Sequence, residues 1–493
     1  MNDFPDRSDF KEKNITGVLN DTLIDLRTIM GNTMDLNIME IEIGGVDCAV
    51  VTIEAMVSTS AMAELIFRPL MQLEVSEGNA AEDILDFCTR QSLLANERKI
   101  VRGYGDIVRL LYSGFAVILI DTVPRAIAYG IQGYDKKSIS EPTSEHNIMG
   151  SQEAFAEVIR TNISLIRRRI KNPALRFEMT QLGEKSATDV CMVYMADKAP
   201  AGMVDRIRKK LKKIKLDMVV SSGNIKPFLE EKMSQNLFSG VGNTERPDVL
   251  CMKLNEGKVC VLIDGTPFAL VCPTLFVENF FTVDDYCSKS YFAAYLRWIR
   301  YFAFFFAVAF PGIYVAVVNY HPEMLTLKLL LNLSASKQAT PYPLFFEVLI
   351  IMALLELMRE ASIRLPAAVG SAVSIVGGLV IGDAAVKSGL ISSPLLIIVG
   401  LTATASFAIP SLNQQSSVLR IMYIIAGGAA GFLGIAICTA MTAANICSMD
   451  EFHVPYTAPV TPFSADGMKD VVSRKNYRSM ERDHSTVERY MDK

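Results

Sequence analysis

The chain has 493 residues, carries a formal net charge of −4, and is 50% hydrophobic and 21% charged. Between residues 301 and 447 only 11 of 147 side chains are charged, whereas 91 of the other 346 are. This split predicts a soluble block followed by a membrane block, and it excludes a wholly soluble enzyme, a disordered regulator and a disulfide scaffold. The slightly negative charge argues against nucleic acid as a partner.

The first residues predict that the soluble block stays in the cytosol. Residues 1–13 are polar and contain no apolar stretch of the kind found in signal peptides, so we expect a disordered segment at residues 1–14. The nine cysteines are irregularly spaced, which favours reduced, buried thiols over disulfides or a zinc site. We therefore expect no metal and no other cofactor.

The soluble block contains an internal repeat. Residues 114–126 (GFAVILIDTVPRA) align without gaps to residues 257–269 (GKVCVLIDGTPFA), at an offset of 143. Residues 47–54 align to residues 189–197 at nearly the same offset, 142. Two matches at almost one offset predict that an α/β unit is duplicated.

The repeat sets the expected boundaries of the α/β region. We predict one unit at residues 15–137, a polar linker at 138–152, and a second unit at 153–290. Asp121 and Asp264 occupy matching positions at the ends of predicted strands. We interpret them as turn formers rather than as a catalytic pair, because no base, nucleophile or metal ligand accompanies them in the sequence.

A strongly basic helix is predicted at residues 206–215. Ile207, Leu211 and Ile214 fall on one face of it, and seven cations occupy the rest. The simpler interpretation is a solvated face beside the core. The functional alternative is contact with anionic lipid head groups, because a membrane block follows. The candidate lipid-contacting residues are Lys209, Lys210, Lys212 and Lys213.

The membrane block is predicted to be an all-α, multi-span bundle at residues 291–448. Its clearest span covers residues 298–318, where Pro311 allows a kink. Residues 323–336 are short and apolar on one face, so an interfacial or re-entrant helix is expected there. The further candidate spans are residues 344–358, 367–386, 394–410 and 419–442.

Residues 449–493 are predicted to form a polar C-terminal tail. Seven basic residues follow the last candidate span, and the positive-inside rule therefore favours a cytosolic tail. Because the α/β region is also expected in the cytosol, the number of spans must be even. Of the four or five that the hydropathy allows, we predict four.

Charged residues lie in or beside one otherwise apolar predicted helix. They are Glu347, Glu356, Arg359, Glu360 and Arg364. The spacing lets Glu356 pair with Arg359 and Glu360 with Arg364. Charges inside a membrane usually face a partner or a wet cavity, which predicts a pore or gating role. An interfacial helix with hydrated charges is the open alternative.

Small residues recur at every fourth position after this helix. They are Gly370, Ser374, Gly378 and Gly382, with Asp383 immediately following. The spacing places the four on one helical stripe and predicts a close helix–helix contact that serves packing, assembly or gating. Gly427 and Gly431 repeat the spacing once. Asp383 is a further candidate pore residue.

Several stretches together resemble one known family. They are residues 160–170 (RTNISLIRRRI), 262–269 (LIDGTPFA), 341–347 (PYPLFFE), 356–366 (ELMREASIRLP) and 375–383 (IVGGLVIGD). The chain resembles the A subunits of bacterial spore germinant receptors, the GerA family, from about residue 14 to residue 449.

The resemblance implies a function that composition alone does not give. It implies a subunit of a nutrient receptor, multi-pass in the inner membrane of dormant spores, with its large N-terminal domain on the cytosolic side. It also implies a transporter-like, germinant-binding B subunit and a lipoprotein C subunit as partners, and a homo-oligomeric ring that opens to ions.

Other function classes fit less well. An enzyme is not expected, because the four histidines are scattered and no HExxH, GxSxG or GxxxxGK[ST] motif occurs. A secondary transporter usually shows more spans and inverted repeats, and the repeat found here lies in the soluble half. A secondary transporter and a membrane-anchored signalling scaffold without channel activity remain the alternatives.

Overall fold

The α/β region is built from two units with one topology. The computed structural model describes residues 10, 13–31, 33–73, 75, 79–91, 97–133, 141–145, 147–231, 236–338, 340–364, 382–465, 467–472 and 487–490. The first unit contains α1 (Leu19–Met30), β1 (Leu36–Ile43), β2 (Val46–Ile53), α2 (Thr59–Met62), α3 (Arg68–Met71), α4 (Ala80–Asp86), β3 (Arg98–Val101), α5 (Tyr104–Leu111), β4 (Phe115–Ile120) and β5 (Ala126–Gly130). The second contains α6 (Ile159–Arg169), β6 (Leu175–Leu182), β7 (Thr188–Met195), α7 (Ala201–Lys213), α8 (Ser222–Leu229), β8 (Gly242–Thr244), α9 (Pro247–Asn255), β9 (Val259–Ile263), β10 (Ala269–Cys272) and α10 (Val283–Cys287).

Both sheets are antiparallel and have the same strand order. The first runs β1-β2-β4-β5-β3 and the second β6-β7-β9-β10-β8. The matched sequence segments form the central strands β4 and β9, every residue of which is buried. Buried strands of this kind require continuous apolar sequence, which explains why the repeat is clearest there. The two units thus share one strand order, with the repeated segments at equivalent positions.

Asp121 and Asp264 occupy equivalent positions in the two units. Asp121 accepts the backbone N–H of Leu19 at 2.9 Å, and Asp264 accepts that of Ile159 at 2.9 Å. Each carboxylate therefore caps the first helix of its own unit, where the free N–H groups and the helix dipole favour an anion. Their observed role is structural.

The two units are joined by a buried ion pair. Arg167 donates from Nε and Nη2 to the two carboxylate oxygens of Asp35 at 2.8 and 3.0 Å. Neither side chain is more than 1% exposed. The rings of Tyr112 and Phe177 each lie 4.7 Å from the guanidinium carbon. A paired and stacked guanidinium of this kind fixes the relative orientation of the units.

The described part of the linker is ordered against the second unit. The carboxylate of Glu245, which is buried, accepts the backbone N–H groups of Ser144 and Glu145. Arg246, also buried, donates to the carbonyl of Ser151 at 2.8 Å. The linker predicted from its polar sequence is therefore docked on the second unit through polar contacts.

The helical region follows directly from α10. It contains α11 (Ser290–Val308), α12 (Phe310–Tyr320), α13 (Leu327–Gln338), α14 (Leu344–Arg364), α15 (Ser393–Phe407) and α16 (Asn413–Cys447). Within the described residues one helical stretch, Pro410–Cys447, is long and apolar enough to cross a membrane. α11 and α12 together form a second such stretch, provided that a single span contains the 52° bend between them. The predicted kink near Pro311 is thus observed.

α16 folds back on itself at a glycine. Gly431 has φ +59° and Ala430 departs from helical geometry, so the helix divides into arms at residues 413–429 and 432–447. Tyr423 and Thr439 hydrogen-bond through their hydroxyls at 3.0 Å although they are 16 residues apart. In a straight helix their Cα atoms would be about 24 Å apart. α16 is therefore a helical hairpin.

The C-terminal segment departs from the predicted polar tail. Residues 450–472 and 487–490 contribute buried side chains to the core of the second α/β unit: Phe452, Val454, Ala458, Val471, Val487 and Tyr490. The backbone N–H of Val487 donates to the carbonyl of Glu256 at 2.9 Å. The segment carries few apolar residues, and these six are placed inside, whereas Val460 and Phe463 are exposed. The chain therefore ends on the same body from which the helical region starts.

A very close helix contact lies between α12 and the first arm of α16. A Cβ atom built on Gly427 would lie 2.4 Å from the carbonyl oxygen of Gly312, and one on Gly312 would lie 2.4 Å from that of Tyr423. No real Cβ contact is this short, so both positions require glycine. Apolar helices in lipid are not driven together by the hydrophobic effect. Small residues let their backbones approach closely, so that packing holds them together.

Arg167→Met should destabilise the protein by about 3–5 kcal/mol, because it leaves Asp35 buried without a counter-charge. Arg160→Met is the matched control, since Arg160 also pairs across the units with Glu54 but is 65% exposed. It should cost no more than about 1 kcal/mol. Denaturant unfolding of the full chain in detergent measures both, and equal losses would contradict the assigned role of Arg167.

Gly427→Ala should disrupt the contact with α12 and cost about 1–3 kcal/mol through overpacking. Gly400→Ala is the control, because a Cβ there meets no atom within 4 Å. The midpoint of thermal unfolding of the detergent-solubilised chain compares the two. If both variants keep the wild-type midpoint, the close contact is wrong.

Candidate coupling site at the base of the helical region

One buried carboxylate joins α10 to α11. Asp285 accepts hydrogen bonds from Nη1 and Nη2 of Arg300 at 2.7 and 2.9 Å and from Nε of Arg297 at 3.3 Å. Thr282 donates its backbone N–H and its hydroxyl to the same carboxylate. Burial alone would raise the pKa of Asp285, but the hydrogen bonds and charge of Arg300 hold it below its ordinary value.

The C-terminal segment supplies a second carboxylate. Asp470 Oδ1 lies 2.9 Å from Arg297 Nη1, and Tyr286 donates its hydroxyl to Asp470 Oδ2 at 2.8 Å. Arg297 is fully buried, with the ring of Phe281 4.1 Å from its guanidinium carbon. Two arginines thus face two carboxylates, and their charges balance. We call Asp285, Arg297, Arg300 and Asp470 the base cluster.

The base cluster connects three parts of the chain. It joins the end of the second α/β unit, the first helix of the helical region and the C-terminal segment. Tilting α11 away from it would separate buried opposite charges, which costs several kcal/mol. Chemically the cluster is suited to mechanical coupling. Among the described residues no group of three or more His, Cys, Asp or Glu side chains could hold a metal ion.

A second arginine contact stabilises the bend between α11 and α12. Pro311 has no N–H, so the carbonyl of Ala307, four residues earlier, loses its helical partner. Arg420 reaches from α16 and donates Nε to that carbonyl at 2.8 Å. Arg420 is 2% exposed, and its Nη2 has no partner among the described residues. The same arginine thus links the hairpin to the broken helix.

The two charge pairs predicted within α14 are present in different surroundings. Arg359 pairs with Glu356 and also donates to Ser417 of α16 at 2.9 Å. Glu360 accepts from Arg364 Nε at 2.8 Å, and both side chains of that pair are exposed. The first pair therefore faces the bundle and the second faces outward. Their part in a pore stays a prediction.

Glu347 is the deepest of the predicted charges. It is 1% exposed, and its Oε1 accepts the backbone N–H of Ser392 at the start of α15. Glu347 Oε2 and Ser392 Oγ have no partner among the described residues. The geometry is that of a carboxylate at a helix N-terminus, which the helix dipole favours.

The predicted stripe of small residues falls mostly outside the described part of the chain. Gly370, Ser374 and Gly378 lie there, and their contact stays a prediction. A Cβ on Gly382 would meet Leu396 at an ordinary 3.5 Å. Asp383 forms an exposed pair with Lys387 at 2.7 Å.

The basic helix α7 divides into two kinds of lysine. Lys209, Lys212 and Lys213 are exposed, as the lipid-contact interpretation requires. Lys210 instead donates to the carbonyl of Leu229 and lies 4.7 Å from the ring centre of Phe452. Its role is to hold the C-terminal segment, and lipid contact stays a prediction for the other three.

The sequence interpretation missed the residues of the base cluster. Arg297 and Arg300 are three residues apart at the start of an apolar helix, which places both on one face and signals a shared partner. That signal was available. Asp470, by contrast, lies 173 residues from Arg297 in an unremarkable polar stretch, and nothing local indicates its partner.

Asp470→Asn should loosen the C-terminal segment, because Arg297 then stays buried with one carboxylate fewer. The expected loss is about 1–2 kcal/mol, which raises the population of the detached segment about 5- to 30-fold. Limited proteolysis of the full chain in detergent measures this as faster cleavage within residues 455–490. Asp217→Asn, which removes an exposed pair with Lys185, should leave cleavage unchanged; equal rates in both variants would refute the docking.

Comparison with known proteins gives one consistent family. Residues 25–486 match the family described as Bacillus/Clostridium GerA spore germination protein. Spore germination protein KA of Bacillus subtilis is 37% identical over 90% of this chain and 82% of its own. The uncharacterized membrane protein YfkQ of the same organism is 32% identical over 98% of this chain and 93% of its own.

A solved structure is also similar in sequence. The N-terminal domain of the A subunit of the Bacillus megaterium spore germinant receptor GerK3 is 29% identical, with a TM-score of 0.42 over 54% of this chain and 98% of that domain. The family match spans nearly the whole α/β region, the helical region and the C-terminal segment. The chain belongs to the GerA family of spore germination proteins.

Proposed function

We propose that the chain is the A subunit of a spore germinant receptor and that it passes a nutrient signal to an ion pathway in the spore inner membrane. The main support is the base cluster, because its buried ion pairs connect the α/β region and the C-terminal segment to the first apolar helix. A change in the α/β region therefore reaches α11 directly.

The proposed topology places both ends of the helical region in the cytosol. Leu412 and Met449, at the two ends of the α16 hairpin, pack in one apolar cluster with Phe280 and Tyr456 beside α10. The chain thus enters and leaves the helices at one end, which supports an even number of crossings. We propose four spans in a multi-pass bundle, with the α/β region and C-terminal segment cytosolic.

Unpaired polar atoms inside the helices support an ion pathway. Among the described residues of the helical region, buried side-chain atoms without a partner occur at Arg297, Glu347, Arg359, Ser392, Asn413, Gln415 and Arg420. Each such atom costs about 1–3 kcal/mol in an apolar setting unless water or another subunit satisfies it. Water-filled polar paths between helices are typical of channels.

The proposed assembly is a homo-oligomer that works with B and C subunits. The B subunit would hold the nutrient and the lipoprotein C subunit would complete the receptor. We propose no enzymatic role. A scaffold without channel activity would not need unpaired polar atoms inside its helices, and a secondary transporter would be expected to duplicate its helical half rather than its soluble half.

Reconstitution tests the proposal. The chain is copurified with its B and C partners into potassium-loaded liposomes, and a defined mixture of amino acids and sugars is added. Potassium efflux should follow only when all three subunits are present. Asp470→Asn should reduce the efflux at equal protein levels, whereas Asp217→Asn should not.

A scaffold role makes the opposite prediction. Wild-type protein would then restore nutrient-triggered germination in spores that lack it, while the complete complex shows no nutrient-dependent efflux in liposomes. That pair of results would overturn the channel role and leave the family assignment intact.

A further inference from the structure

We propose that the helical region binds an oxyanion, the phosphate or carboxylate type of ligand, between α14 and the first arm of α16. The site consists of Arg359, Ser417 and Arg420. The inference goes beyond the proposed function and does not depend on ion conduction.

The geometry brings the three side chains to one place. Arg359 Nη2 donates to Ser417 Oγ at 2.9 Å, and Ser417 and Arg420 are three residues apart on one face of the arm. Arg420 therefore lies one helical turn from the hydroxyl that Arg359 contacts. Two forks of N–H donors therefore flank one hydroxyl.

The charge at this place is not balanced by the described residues. Two guanidinium groups face one carboxylate, that of Glu356, which pairs with Arg359. Arg420 uses Nε on the Ala307 carbonyl, and no described carboxylate pairs with it. A guanidinium does not lose its proton in proteins, so it cannot escape burial by becoming neutral. One positive charge is left over.

Unfilled donors point to the missing ligand. Arg420 is 98% buried and its Nη2 has no described partner, and the same holds for the buried Nη1 of Arg359. Asn413 and Gln415, on the same arm, each have an unpartnered oxygen that could accept a hydrogen bond. Both are uncharged, so they cannot offset the excess charge. An oxyanion supplies both the charge and the acceptors.

The ligand can come from a lipid or from solution. The side chains of Glu356 and Arg359 are 38% and 20% exposed, so the site opens outward on the α14 side. Arginine forks match phosphate and carboxylate geometry with two parallel bonds. An anionic lipid head group and a free oxyanion share this chemistry, and the experiment separates them.

Binding is measured on the full chain purified in detergent. Equilibrium binding of short-chain phosphatidylglycerol and of inorganic phosphate is compared at constant ionic strength set with chloride. Wild type should bind at least one of them saturably at one site per chain. Arg420→Met should weaken that binding about tenfold or more, the loss expected for one charge-assisted hydrogen bond or ion pair.

Three further variants test the site even if Arg420→Met does not fold. Arg359→Gln and Ser417→Ala should each weaken binding, whereas Arg364→Gln should not, because Arg364 lies on the same helix in an exposed pair. Binding of the lipid alone identifies a head-group site, and binding of phosphate alone identifies a soluble ligand. No saturable binding of either, or binding unchanged by Arg420→Met and Arg359→Gln, overturns the proposal.

Discussion

Arg297 is the residue on which the architecture depends. It is fully buried, and it holds one carboxylate from α10 and one from the C-terminal segment. A buried guanidinium without its carboxylates is far more costly than an exposed one, so the three parts of the chain stay together or separate together. Through it the second α/β unit, the first apolar helix and the end of the chain behave as one body. Arg167 extends that body to the first unit in the same way.

The helical region is held by close contact and by replaced hydrogen bonds. Pro311 leaves the Ala307 carbonyl without its helical hydrogen bond, and Arg420 of α16 donates a replacement. One residue after that proline, Gly312 meets Gly427, so the backbones of α12 and α16 touch where the helix changes direction. The hairpin at Gly431 then returns the chain to its starting end. Each device uses polar or small residues inside an apolar sequence, and residues of these kinds give apolar helices their specific packing.

The sequence predicts features that rest on local patterns. The duplication is visible because β4 and β9 are buried strands whose apolar sequence cannot vary freely, and the aspartates that follow them cap helices in both units. The pairing of Glu356 with Arg359 follows from helical spacing. Features that rest on distant partners are not visible: Asp35 is 132 residues from Arg167. The end of the chain looks polar because few of its residues are apolar, yet several of those few complete the core of the second α/β unit.

A crosslink between the end of the chain and the second α/β unit is the most direct test of the docked C-terminal segment. Glu256 and Val487 share a backbone hydrogen bond of 2.9 Å, close enough for a disulfide between cysteines placed at both positions. In a background without native cysteines, mild oxidation of the full chain should form this crosslink in high yield. A pair at 256 and 463 should not crosslink. Absence of the 256–487 crosslink, with both cysteines reactive to a thiol reagent, would contradict the docking on which the coupling depends.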